Sequence, residues 1–413
     1  MKKVLVICDM FPPAFGPRMG YLCKYLGDTG WEATVLTEKI GGGSFAFLRG
    51  GCSVHALTYY PAGKGLWAGG LRFLLRLLSV VGLKDYVFFR EAKRLLKGGR
   101  FELILCSTYR DFPLGAASRA ARRFGLPWVA DLRDIVEQYA GLEFIATKLP
   151  SFVRARFGPM LRRRFIKSRN LMLQSAAHVT CVSPFHLSIL RPHSAKISLI
   201  YNGYDPEIFR PRIMTSDCFI ISYTGRLLSG AMRDPSLLFE AIRQLSGEGL
   251  FSPSTCRVEW YTDEASWLAI SSASEQAGVG SYMHYKGYVA GDRIPAVLAG
   301  SSVALLLANK ESVAGPRGIV TTKVFEAMAM ERPILCVRSD EGVIAALLAE
   351  SRCGLAASSL AEASQFLRQY YNQWLHNKRT HVEPYRPFIE SFSRRKQAQE
   401  FAAIFEEASR SKA

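Results

Sequence analysis

The sequence predicts an α/β protein made of two doubly wound parallel sheets in tandem. Three observations lead there. A length of 413 residues exceeds what one hydrophobic core organises, so two domains of roughly 200 residues are expected. Short apolar, β-rich runs alternate with helical stretches in two successive series, without antiparallel hairpin signals. A neutral linker around Asp205 to Ser216 separates the series. An aromatic content of 12% with a full complement of branched aliphatics excludes disorder.

KKVLVIC (2–8) is a β-rich run ending in Asp9 and a Pro/Gly loop, DMFPPAFGPRMG. Helical YLCKYLGDTG and the apolar run EATVLT follow, the strand, loop, helix, strand opening of a parallel sheet. FELILCS (101–107), a helix over about 114–124 and PWVADLRD (127–134) repeat the alternation, and HVTCVS (178–183) and KISLIYNG (196–203) complete a first domain of four to six strands. In the second series FIISYTG (219–225), CRVEWYT (256–262), MHYKGYV (283–289), SVALLLA (302–308) and PILCV (333–337) read as strands, separated by helices such as PSLLFEAIRQL (235–245). The domains are therefore 1–204 and 205–385, followed by a polar helical tail, 386–413. Nine cysteines are scattered singly and read as reduced core residues, which argues against a disulfide framework or a zinc site.

Three segments carry binding chemistry. The loop Phe11–Gly20 follows a strand and opens a helix, with Gly16 allowing close approach and Pro17 suited to the first turn; a plain strand-to-helix turn explains it as well. In YTGRLLSGAMRDP the strand ends at Gly225, and Arg226 and Arg233 follow, a pair suited to a diphosphate or simply to solvent. In VTTKVFEAMAMERPILCV, Thr321, Thr322 and Lys323 open a helix whose N-terminus can hold phosphates, and Glu326 can accept from vicinal ribose hydroxyls; a capping arrangement with Glu in the first turn fits the same pattern.

Together these segments resemble family 4 glycosyltransferases (glycosyltransferase group 1) of the bacterial polysaccharide branch. PWVADLRD, HVTCVS, LIYNGYDPEIFRP (199–211), YTGRLLSGAMRDP (223–235), HYKGYV (284–289) and TTKVFEAMAMERPIL (321–335) follow the family's order and spacing across about residues 1–355. The resemblance implies the GT-B architecture, two Rossmann-like domains facing across a cleft, with the donor on the second and the acceptor on the first. It implies that Arg226 and Arg233 hold the donor diphosphate, that Glu326 holds the ribose, and that Tyr288 and Val289 meet the base. It further implies a retaining hexosyl transfer from a nucleotide sugar, with no cofactor and no metal.

This chain departs from the family at two places. Gly318 stands where the first Glu of the E-x7-E motif is expected, so Glu311 or backbone amides of AGPRG (314–318) would supply that contact. The loop TYRDFPLG lacks the His many members carry, which leaves Asp111 as an acceptor-side candidate. Asp131 and Asp134 of DLRD could orient acceptor hydroxyls, or pair with Arg133 as structure. A nucleotide-sugar epimerase and a catalytically idle scaffold subunit of the same architecture remain as alternatives.

The formal charge is +18, and all of it lies in residues 1–204, which hold 30 Lys+Arg against 12 Asp+Glu. Residues 151–173 and 64–100 concentrate it among leucines and aromatics. Pro159 is expected to begin a helix with Leu161, Phe165 and Met172 on one side and the membrane-facing Arg162, Arg163, Arg164, Lys167 and Arg169 elsewhere. That composition fits a helix lying on an anionic membrane surface. No nucleic-acid motif is present, and the aromatics do not interleave with basic residues as stacking platforms do. The expected setting is cytoplasmic, peripheral at the inner face of the membrane.

Overall fold

The computed structural model describes residues 1–43, 45–48, 50–109, 111–139, 151–212, 214–227, 233–308, 318–337 and 342–410. It resolves into two compact units: residues 1–201 with 395–413, and residues 202–394.

The first unit contains strands β1 (Lys2–Cys8), β2 (Trp31–Glu38), β3 (Ser53–Leu57), β4 (Leu103–Thr108), β5 (Trp128–Leu132), β6 (His178–Cys181) and β7 (Ile197–Leu199). Its helices are α1 (Pro17–Leu26), α2 (Leu66–Val80), α3 (Leu83–Gly98), α4 (Leu114–Phe124), α5 (Ser151–Leu173) and α6 (Pro184–Leu190). The seven strands are parallel, in the order β3-β2-β1-β4-β5-β6-β7. Burial on both faces explains why β1 and β4 read as continuous apolar runs. Val4, Val6 and Cys8 pack to one side, while Leu5 and Ile7 pack to the other against Phe88, Ala92, Ala117 and Ala120 of α3 and α4.

The second unit contains β8 (Phe219–Thr224), β9 (Cys256–Tyr261), β10 (Met283–Tyr285), β11 (Val303–Leu307), β12 (Ile334–Val337) and β13 (Gly354–Ala357). Its helices are α7 (Ser236–Gly247), α8 (Glu264–Gln276), α9 (Ile294–Ala299), α10 (Thr322–Ala329), α11 (Gly342–Ser351), α12 (Leu360–Asn377) and α13 (Arg386–Glu390). The six strands are again parallel, ordered β10-β9-β8-β11-β12-β13. Phe219, Tyr223, Trp260, Phe239, Tyr371 and Trp374 form the aromatic centre of its core.

Four details differ from the sequence reading. The first sheet has seven strands because β3, a half-exposed edge strand between glycine-rich turns, lacks an apolar signature. MHYKGYV is strand only through Tyr285, since Gly287 at φ +75° turns the chain away. Pro159 lies inside α5, so that helix begins earlier than expected. Finally, the presumed polar tail from 386 is divided: α13 belongs to the second unit, while α14 (Arg394–Arg410) buries Ala398, Phe401, Ala402, Ile404, Phe405 and Ala408 in the first unit's core. That spacing is an apolar helical stripe hidden among charges.

In both sheets the chain runs outward for three strands and then returns beside its starting strand. The resulting switch points lie between β1 and β4 and between β8 and β11. Ligands in open parallel sheets bind outside the carboxyl ends of strands at such points.

Candidate active site

At the second switch point, β8 ends in Gly225, whose φ of +117° places it where side chains are strained. Lys323, in the first turn of α10, reaches back to this glycine. Its ammonium donates to the Tyr223 hydroxyl at 3.3 Å and lies 4.6 Å from that ring's centroid. Burial holds the Lys323 pKa well below the usual lysine range, and the neighbouring Arg233 guanidinium pushes the same way. Tyr223 donates to the Arg226 carbonyl at 2.9 Å, and Arg233 donates to that same carbonyl. Arg226 turns outward, pairing with Asp263 at 3.1 Å and stacking 5.7 Å from the Tyr288 ring centroid.

Thr321 occupies the N-cap of α10 and makes no side-chain cap, and no acid lies in that helix's first turn. The capping alternative therefore does not hold: Glu326 sits a turn further on, where burial pushes its carboxyl up to about 7 against the pull of Arg394 and Lys323. The uncapped N-terminus at Thr321 and Thr322, two cations and a buried carboxylate can together receive a diphosphate and a diol. Gly318 is buried with φ +66°, so the backbone there favours glycine over the glutamate of the family motif. Glu311 lies outside the described residues. Val289 follows Tyr288 beyond β10, off the strand.

At the first switch point Gly16 is the N-cap of α1 at φ +90°, and a Cβ there would stand 2.4 Å from the Met10 carbonyl oxygen. Asp9 gathers three loops: its carboxylate accepts from Met10 N at 2.9 Å, from Tyr109 N at 3.0 Å and from the Arg133 guanidinium. Arg133 thus pairs with Asp9 instead of Asp131 or Asp134.

Asp131 is fully buried on β5 and is corrected from a catalytic to a structural role. It takes a forked pair of hydrogen bonds from Arg18 (3.1 and 2.9 Å) and others from Ser107 (2.9 Å) and Thr180 (2.8 Å). Burial alone would raise its pKa, but Arg18 and the two hydroxyls outweigh it and hold the carboxylate below its ordinary value. Arg18 also donates to the Ile200 and Tyr201 carbonyls, tying α1 to the strand ends.

Asp134 accepts from Gln138 Nε2 at 2.7 Å, and Gln138 Oε1 meets both Ile135 N and His186 Nε2. That arrangement orients Gln138 and puts the His186 proton on Nε2. Asp111 follows β4, and its backbone carbonyl accepts from Leu114 N at 2.8 Å as α4 begins. Sequence reasoning missed Arg18, Gln138, His186 and Tyr223; Asp9 was visible as the residue closing the first strand.

Residues 15–203 match the family model described as a glycosyl transferase 4-like domain. Over most of its first unit the chain is thus similar to a glycosyltransferase domain. No curated protein matches it in sequence. Solved structures similar to the chain include a glycosyltransferase from Rickettsia africae (13% identity, 98% of each chain, TM-score 0.58). Anabaena HepE in complex with UDP-glucose is similar at 15% identity over 100% of this chain and 99% of that one, with a TM-score of 0.56. WaaG, a glycosyltransferase involved in lipopolysaccharide biosynthesis, aligns at 13% identity over 99% and 98% with a TM-score of 0.55. At these identities the likeness is one of fold, and that fold is GT-B.

The basic residues of the first unit divide into two sets. Arg163, Arg164 and Lys167 are exposed on α5, while Arg162 is half-buried and donates to the Tyr139 carbonyl at 2.9 Å. Arg169 is a correction: it is buried and grips Glu137 through two 2.6 Å hydrogen bonds, because it lies eight residues after buried Leu161 on the inward side of the helix. The exposed apolar surface is on α2. Trp67 (95% exposed), Leu71, Leu74 and Leu78 recur at helical spacing along one face. Among the described residues no single helix is long and apolar enough to cross a membrane; α2 and α3 pass that test only as a pair bent by 83°.

Proposed function

We propose that this protein is a glycosyltransferase that moves a hexose-type sugar from a nucleotide-sugar donor to a saccharide acceptor carried on a lipid, with retention of anomeric configuration, in surface polysaccharide assembly at the inner face of a membrane. The observation that carries the donor reading is the cluster of Lys323, Arg233 and the uncapped α10 N-terminus around Gly225, with Glu326 a turn away. Those cations and the helix dipole would stabilise the leaving diphosphate without a metal, and ionised Glu326 would hold the ribose hydroxyls. Arg226 and Tyr288 form a platform at the base end of that path. The complex of HepE with UDP-glucose and the role of WaaG in lipopolysaccharide biosynthesis support the donor class and the glycan setting.

The lipid setting rests on α2. Its unpartnered stripe of Trp67, Leu71, Leu74 and Leu78, beside the exposed cations of α5, suits insertion at the boundary of an anionic bilayer.

A panel of nucleotide sugars tested by thermal shift and calorimetry checks the donor reading. One donor at a hundred times its Kd should stabilise the protein by about 2.7 kcal/mol, and transfer should then require an added acceptor. Failure of every nucleotide sugar to bind would defeat this reading, and conversion of the donor without acceptor would replace it with epimerisation.

A further inference from the structure

A cavity of about 470 Å³ lies wholly within the first unit, between the α2–α3 corner, one side of α4 and one side of α5. Ser118, Arg119 and Arg122 of α4 face Arg164 and Ser168 of α5 across it. None of the three arginines makes a hydrogen bond or an ion pair among the described residues, whereas Arg18, Arg133 and Arg169 elsewhere in this unit are all committed to carboxylates.

Two acids share the cavity, and one of them is already engaged. Asp85 accepts from Ala116 N at 3.0 Å and so caps α4 from outside, with Gly115 required for its close approach. Burial, with Asp111 adding to it, pushes the Asp85 carboxyl up to about 7, so it opposes an anion only weakly near neutrality. Asp111 is the other acid among the lining residues, against three guanidiniums.

The surroundings differ on the two sides. The wall at Ser79–Gly82 is the end of α2, whose apolar stripe leads to it, and Val81 (62% exposed) and Leu171 (56% exposed) stand at the rim. A cationic pocket opening beside an apolar, membrane-seeking surface matches an amphiphile with an anionic head. We infer that this cavity binds the phosphate group of a lipid whose chains lie against α2, through Arg119, Arg122 and Arg164. Guanidiniums suit the group because they meet phosphate oxygens in a planar, two-pronged geometry. The inference deepens the membrane reading above and rests on it.

The test uses the full chain, with vesicles of phosphatidylcholine alone or with phosphatidic acid, and with soluble glycerol 3-phosphate. Arg119→Gln/Arg122→Gln removes two cavity charges. Arg163→Gln/Lys167→Gln removes two exposed charges that do not line the cavity, and Trp67→Ser tests the α2 stripe. The cavity variant should lose roughly tenfold more affinity for phosphatidic acid vesicles than the charge-matched control. It should also lose stabilisation by glycerol 3-phosphate, with its circular dichroism unchanged.

Equal losses in the two variants would overturn the cavity site and leave diffuse attraction, with the membrane reading intact. Vesicle binding that needs Trp67 but ignores Arg119 and Arg122 would do the same. Saturable glycerol 3-phosphate binding without vesicle binding would keep the phosphate site and overturn its lipid source together with the membrane reading. No response to either probe would overturn both.

Discussion

Lys323 occupies the space that a side chain on Gly225 would need: a Cβ there would lie 2.5 Å from the ammonium nitrogen. The loop after β8 and the first turn of α10 are thus matched to one another, although 98 positions of sequence separate them. Gly225→Ala should displace Lys323 and also strain a backbone at φ +117°, a cost of about 1–3 kcal/mol. Donor affinity by calorimetry should fall roughly tenfold or more, with the far-ultraviolet spectrum unchanged. Unchanged affinity would mean that Lys323 does not meet the donor.

Glu326 has its carboxyl raised to about 7 by burial, so in the free protein it gains a proton as pH falls through that value. A protonated carboxyl accepts poorly from a ribose diol, so donor affinity should weaken between pH 8 and 6. Glu326→Gln should bind weakly throughout and show a flatter profile. The same slope in the variant would place the titration elsewhere.

Asp131→Asn removes a charge from a buried pair and leaves Arg18 uncompensated in the interior. Such losses cost about 3–5 kcal/mol, read as a lowered denaturation midpoint. A change below about 1 kcal/mol would contradict the structural role assigned to Asp131.

His186 is held near 4 by burial, below its unfolded value of 6.5. Between those values the unfolded chain binds a proton that the folded one refuses, so this residue's contribution is full above 6.5 and declines as pH falls towards 4, by up to about 1.4 kcal/mol per unit. Glu326, raised above its unfolded 4.5, acts in the opposite direction over 4.5 to 7. The difference between wild type and His186→Gln therefore isolates the histidine, and a pH-independent difference would be the adverse result. Asp131, depressed below 3.8, contributes fully above that value and makes stability vary with pH only below it.

The parallel strands were legible because burial on both faces leaves unbroken apolar runs, as in β1, β4 and β8. β3 was illegible because an edge strand buries little, and β13 because Gly-Leu-Ala-Ala is short and small. Gly354 is in β13 for another reason: a Cβ there would meet the Ile334 carbonyl oxygen at 2.1 Å. The cations and Glu326 of the donor cluster were readable from a compact motif. Tyr223 was not, since its partner Lys323 is a hundred residues away. Asp131 illustrates the same limit, because a carboxylate after a strand serves chemistry or packing according to whether an arginine 113 residues earlier reaches it.

The placement of α14 bears on how the chain is made. Phe401 and Phe405 complete a sheet face whose other members, Val4, Val6 and Trp31, leave the ribosome first. Residues 202–394 are translated in between, which at about 5–20 residues per second keeps that face uncovered for roughly ten to forty seconds. The first unit to emerge is therefore the last to be finished, and until its closing helix arrives it presents an apolar surface that chaperones can hold.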